Sequence, residues 1–199
     1  MYSILAGIMI SLGCIINLQV GGIGGALFFS LGLITILMFN FDLFTGRAGL
    51  LASDQITYKR LGQIWLGNLY GVLMVAAALS LTPVGGVLGT AAQTIVATRL
   101  ANGAIANVVL GGCCGILMYI GVGLFTKQNN PLYAAMPVAT FILSGFNHCI
   151  ADMFYFAIAA NAPWTVWLTL IPTTMGNILG CCLIPWVQNW YKQYYPWEN

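Results

Sequence analysis

Apolar runs long enough to cross a lipid bilayer follow one another along this chain with almost no ionisable residue inside them, which restricts it to one class of fold. A helical crossing takes roughly 20 apolar residues, so 199 residues hold about six spans and no soluble domain. The 60% apolar and 5% charged residues, with a mean hydropathy of +0.90, lie outside the range of soluble proteins. The expectation is an all-α integral membrane protein, one transmembrane domain over residues 1–199. Membrane lipid is the partner this composition requires; a net charge of +2 is too slight to suggest nucleic acid. The opening run "MYSILAGIMISLGCII" has no basic leader and no small-residue cleavage site, and reads as a retained span rather than a signal peptide.

Hydropathy and loop breakers place six transmembrane helices near residues 3–20, 24–53, 61–82, 99–125, 132–160 and 164–190. The second and fifth are overlong and interrupted. The links read as short, apart from a longer "TPVGGVLGTAAQ" before the fourth span. Lys59, Arg60, Lys127 and Lys192 fall on one side of six alternating crossings. The positive-inside tendency makes that side the cytoplasm and puts both termini there. Arg99 is the exception, at the far end of span four. Trp164, Trp167, Trp186 and Trp190 suit interfacial anchors at the ends of span six. The six cysteines lie inside apolar runs, and the pairs "GCC" at 112–114 and 180–182 lack CxxC spacing, so neither a disulfide framework nor a metal site is expected.

The chain carries a weak internal symmetry. The third span of the first half contains "GNLYG" and that of the second half "GNILG". The second span of each half is broken by polar residues, "FDLFTGR" at 41–47 and "SGFNHCIAD" at 144–152. Three spans per half give the halves opposite topology, an inverted 3+3 repeat over about 1–85 and 97–192. A broken helix leaves backbone N–H and C=O groups unpaired, and hydrocarbon cannot satisfy them, so such breaks line a pathway or are buried in protein. Half-helix N-termini with free N–H donors also favour an approaching anion.

His148, the only histidine, sits in the second break, and Asp152 lies four residues on. An ionisable group at membrane depth is costly and usually faces a pathway. If the segment is helical the two share a face, and Asp152 either orients the imidazole, caps the helix or points to water. A metal site or an intramembrane hydrolase would need further ligands or a nucleophile on that face. None is offered, so no enzymatic activity and no cofactor are expected.

These residues carry a resemblance. "SGFNHCIADMF" resembles the periplasmic-side loop motif of the formate/nitrite transporter family, "FDLFTG" its cytoplasmic-side loop motif and "LIPTTMGNILG" its sixth-span motif, with similarity running over residues 3–185. The resemblance implies an aquaporin-like fold and a homopentamer in the prokaryotic cytoplasmic membrane, with one pore per protomer for small monovalent weak-acid anions. By position it implies that His148 is the central pore histidine, Thr45 the loop threonine facing it and Asn177 the sixth-span pore asparagine. It assigns Leu33 and Phe141 to an outer constriction, Leu43 and Phe44 to an inner one, and Phe29 to the outer mouth.

The chain departs from the family pattern in four places. Asn147 stands where the family has an acid, and Asp152 where it has an asparagine. Gly111 replaces a fourth-span asparagine opposite the histidine, which is expected to remove a polar contact and widen the lumen. The usual N-terminal amphipathic segment and long loops are lacking, so gating by that segment is not expected. Three readings follow: a channel for weak-acid anions with formate the leading substrate and proton handling at His148; a channel for hydrosulfide, hydrogen sulfide or another small neutral solute; or a non-conducting scaffold subunit.

Overall fold

The structure, a computed structural model, describes residues 1–194, so 195–199 of the expected domain lie outside the described residues. Every regular element among those residues is helical. An antiparallel pair, α1 (Tyr2–Val20) and α2 (Gly22–Met38), turns at Gly21 and Gly22, both at positive φ. A short α3 (Phe44–Ala48) runs into a 3-10 turn at Gly49–Ser53. Then come α4 (Tyr58–Ser80), α5 (Pro83–Ala101), α6 (Gly103–Gln128), α7 (Pro131–Leu143) and α8 (Cys149–Ile158). A 3-10 segment at Trp164–Thr169 leads into α9 (Leu170–Tyr194).

Helix starts follow the local sequence. Thr57 accepts from the Arg60 amide at 3.2 Å, and Asn130 accepts from the Leu132 amide at 3.0 Å with Pro131 in the first turn. The segments Tyr2–Val20, Tyr58–Ser80, Gly103–Gln128 and Trp164–Gln193 are long and apolar enough to cross a membrane, whereas α2, α7 and α8 are apolar but shorter. The expected second and fifth spans are each two helices separated by a turn. The "TPVGGVLGTAAQ" link is a correction: it forms most of α5. Its proline occupies the first turn, where no N–H is needed. Its glycines at 85 and 89 let the helix lie against the backbone at Leu79 and Ile158. Arg99 therefore belongs to the last turn of α5, not to the fourth span.

α6 packs most extensively on α9, and α1 packs on both α2 and α4. Lipid gives helices no hydrophobic reason to associate, so close backbone approach across small residues must supply the attraction. A Cβ at Gly67 would meet Ser3, and one at Gly71 the Ile4 carbonyl. Between α6 and α9, a Cβ at Gly176 would meet the Val108 carbonyl and one at Gly180 the Gly112 carbonyl. The glycines of both Gly-Asn motifs are thus helix-packing residues. Gly111 joins them: its Cβ would lie 2.7 Å from the Thr173 carbonyl. The expectation that Gly111 widens a lumen is corrected on that ground, because the space is filled by α9. At the chain's other surface, Trp164, Trp186 and Trp190 are exposed, while Trp167 rests edge-on against Phe156.

Gly180→Ala is expected to cost about 1–3 kcal/mol through overpacking, read as a lower melting temperature and a smaller monodisperse fraction in detergent. Gly123→Ala, on α6 with open space around its Cβ, is expected to be neutral or slightly stabilising, since alanine favours a helix by roughly 1 kcal/mol over glycine. Equal behaviour of the two variants would contradict the packing role.

Candidate functional site

The two breaks are built alike, step by step. Each preceding helix ends on a residue with positive φ, Asn40 (54°) and Gly145 (70°). The next amide, Phe41 or Phe146, returns to the carbonyl of Ile36 or Phe141 at 2.9 Å, the paired closing bonds of a Schellman turn. The chain then extends through Asp42–Leu43 and Asn147–His148 before helix resumes at Phe44 and Cys149.

An asparagine clamps each restart. Asn68 Oδ1 accepts from the Phe44 amide at 2.9 Å, and its Nδ2 donates to the carbonyls of Asp42 and Ser3. Asn177 Oδ1 accepts from the Cys149 amide at 2.9 Å, and its Nδ2 donates to Asn147 and Gly111. Both side chains are fully buried. One side chain thus satisfies two backbone groups that a broken helix would leave unpaired at membrane depth and ties the break to a carbonyl of a neighbouring helix, α1 or α6. Asn177 is placed as this clamp, and it lines neither of the cavities described below.

His148 caps α8. Its Nδ1 accepts the Ala151 amide at 3.2 Å and its Nε2 lies 2.9 Å from Thr45 Oγ1. An amide can only donate, so Nδ1 carries no proton, and the ring's proton sits on Nε2 and is donated to Thr45. This bond joins the two breaks. Phe141 stacks on the imidazole at 5.5 Å, and Phe29 meets Phe141 edge-on at 5.9 Å. The amides of Phe44, Cys149 and Ala151 are taken by side chains, which withdraws these three from the N–H donors expected to face a solute. The α8 dipole field acts there as well.

Two cavities approach the Thr45–His148 contact. One of about 370 Å³ is walled by Leu33, Leu43, Asn40, Arg47, Thr126 and Asn129 among others. The other, about 210 Å³, is walled by Phe141, His148, Arg99, Asp152, Tyr155 and Asn17 among others. Phe44 lies elsewhere, against an apolar groove between α4 and α9 with Trp65 and Ile171. It does not line the cavity that Leu43 lines.

Asp152 does not pair with His148. Its carboxylate oxygens both accept from Arg99 Nε at 3.1 Å, and the pair is almost wholly buried. The Arg99 carbonyl in turn accepts from Asn107, whose Oδ1 accepts from Asn147 Nδ2 at 2.8 Å. Asn147 Oδ1 is buried without a hydrogen-bond partner among the described residues. Asn107 and Asn68 were not among the expected site residues, and Arg99 was expected only as a charge at the far end of span four. The duplicated Gly-Asn motif was the available signal for Asn68, and a lone amide in an apolar run the signal for Asn107. Around α3, the Cys181 thiol points at the Thr45 carbonyl (3.3 Å) and the Cys182 thiol at the Ala48 carbonyl (3.4 Å). Among the described residues no cluster of His, Cys, Asp or Glu suits a metal ion.

The sequence profile described as formate/nitrite transporter matches residues 1–191. The formate channel FocA of Escherichia coli strain K12 is 31% identical, over 83% of this chain and 72% of that protein. FocA of Haemophilus influenzae is 27% identical, over 78% and 69%. A solved pentameric formate channel with formate bound superposes with a TM-score of 0.76 at 30% identity, over 98% of this chain and 95% of that one. An FNT family ion channel gives 0.85 at 23% identity, over 95% and 87%, a likeness of fold. These relatives are channels and transporters rather than enzymes, and the chain, like them, is a multi-pass membrane protein. With the profile matching along nearly its whole length and a relative 31% identical, the chain belongs to the formate/nitrite transporter family.

Proposed function

We infer that the protein is a channel for small monovalent weak-acid anions, with formate the leading substrate. The observation that carries this reading is the Thr45–His148 bond, which sets one titratable ring between two cavities and behind apolar walls. Six crossings in an inverted 3+3 repeat, with interrupted second and fifth spans, fit the paired breaks. A homopentamer in the prokaryotic cytoplasmic membrane, both termini cytoplasmic, fits the solved relative's pentamer and the placement of Lys59, Arg60, Lys127 and Lys192.

A bare anion passing Leu33, Leu43 and Phe141 faces a desolvation cost nominally on the order of 20 kcal/mol, and still several kcal/mol after relaxation. The α8 dipole and the Thr45 hydroxyl offset part of it. Proton sharing near His148 offsets more, because a neutral acid crosses a dry wall far more easily than its anion. Nδ1 is held by the Ala151 amide, so a proton added there would set two N–H groups face to face. The ring takes up a proton only by turning out of its cap.

A second reading, passage of hydrogen sulfide, hydrosulfide or another small neutral solute, draws on one observation: Arg99 and Asp152 cancel in the smaller cavity. Uptake into liposomes separates the readings: formate entry that depends on pH supports the first, and uptake insensitive to permeant charge supports the second.

In His148→Asn, asparagine keeps an N-cap acceptor but handles no proton. Formate and chloride flux measured from about pH 5 to about pH 8 is expected to lose its pH dependence and its preference for weak acids. An unchanged profile in a normally assembled protein would remove His148 from the mechanism.

Asp152→Asn leaves Arg99 buried and unpaired, which is expected to lower stability by about 3 kcal/mol or more. In the protein that still assembles, the freed positive charge is expected to raise anion flux relative to a neutral solute. Full stability together with unchanged selectivity would contradict this account of the pair.

A further inference from the structure

The matched breaks give a register in which Arg47 of the first and Asp152 of the second occupy the same step, each four residues after the capping position, Leu43 or His148. Opposite charges at equivalent steps make the two cavities electrically unlike. Asp152 is bound by Arg99, so the smaller cavity carries a cancelled pair. The larger cavity has Arg47 as the one charged side chain among the described residues that line it.

Arg47 is incompletely neutralised. Its Nε donates to Asp42 Oδ1 at 3.1 Å, while the second oxygen of that carboxylate takes Arg60 Nη2 at 3.1 Å. One carboxylate serves two guanidinium groups, leaving the trio with a single positive charge. The pair with Asp42 uses only Nε, so the two terminal nitrogens of Arg47, 38% exposed as a side chain, remain for the cavity. Around them the wall supplies the amides of Asn40 and Asn129, with Leu33 and Leu43 closing the end toward Thr45; the Thr126 hydroxyl, also on the wall, donates its proton to the Val122 carbonyl. A volume of about 370 Å³ holds a triatomic anion with several waters, each of which takes roughly 30 Å³ in the liquid. Lys127, exposed and next to Thr126, adds positive potential without lining the space.

We propose that this larger cavity is an anion-loading site in which Arg47 is the charged ligand for a small monovalent carboxylate or oxyanion, making the channel capture its permeant better from the Arg47 end than from the Arg99–Asp152 end. The inference deepens the anion-channel reading and rests on it. A guanidinium with two free terminal nitrogens matches the two oxygens of a carboxylate. Partial exposure keeps the contact weak enough to release the anion toward Thr45, as conduction requires.

The test is single-channel recording in planar bilayers, with formate titrated in one chamber and then in the other, so that each channel reports two half-saturating concentrations. The wild type is expected to show unequal values. Arg47→Gln should raise the lower one by about fivefold, equivalent to roughly 1 kcal/mol for a part-exposed charge contact, and leave the other unchanged. Arg47→Lys should keep the lower value within about twofold of wild type, since a point charge is retained. Asp42→Asn frees the guanidinium and should lower the same value. Arg47→Gln and Asp42→Asn break the same ion pair, so a purely structural bond would move the value in one direction for both, and that result overturns the proposal. So does an Arg47→Gln channel with both values unchanged, or both raised equally. A wild type that assembles but passes no formate would defeat the channel reading. The site is then judged by broadening of the carbon-13 formate line with solubilised protein. Broadening lost in Arg47→Gln upholds the site, and equal broadening in both proteins overturns it.

Discussion

A helix stopped inside a membrane must find partners for the backbone groups it exposes, and hydrocarbon supplies none. The arrangement around Thr45 and His148 depends on how this chain meets that demand twice. Asn40 and Gly145 turn the chain so that the ending helix closes on itself, and Asn68 and Asn177 reach in from neighbouring helices to hold the restart. Those asparagines reach the breaks only because glycines let α4 sit hard against α1, and α9 against α6. Packing and polar satisfaction are therefore one problem here: widening either helix pair by a methyl group draws a clamp away from its amide.

Satisfying the backbone spends donors that could have faced a solute. The Phe44, Cys149 and Ala151 amides are committed to Asn68, Asn177 and His148. Selection of a permeant then falls to the long-range field of α8, to the few hydroxyls and amides on the cavity walls, and to formal charges. That makes the positions of Arg47, Asp42, Arg99 and Asp152 weigh more than their number suggests.

Much of this was legible in the sequence. Apolar runs required a helical membrane protein, and polar residues in two of them marked the breaks and hence Thr45 and His148. Motif resemblance supplied the family. What was not legible depends on contacts between residues far apart in the chain. Asp152 and Arg99 are separated by α6 and α7, and no periodicity links them. Hydropathy read the Pro- and Gly-bearing start of α5 as a link, although proline in a first turn and glycine against a neighbouring backbone are both compatible with helix. Gly111 and Phe44 were assigned to the pore by alignment. Helix packing took the first, and the α4–α9 groove the second.

The short helix α3 is held at both ends by contacts of different kinds. At its start, Asn68 takes the Phe44 amide and the Asp42 carbonyl in ordinary hydrogen bonds. Further along, the Thr45 and Ala48 carbonyls meet the thiols of Cys181 and Cys182, which are weak donors, and Gly49 lies hard against Tyr119 and the Cys181 carbonyl. A polar clamp sets where the helix begins, and packing sets where it leads. Thr45 and Arg47 lie between these two holds, so the hydroxyl that meets His148 and the guanidinium that meets Asp42 ride on one backbone braced from both sides.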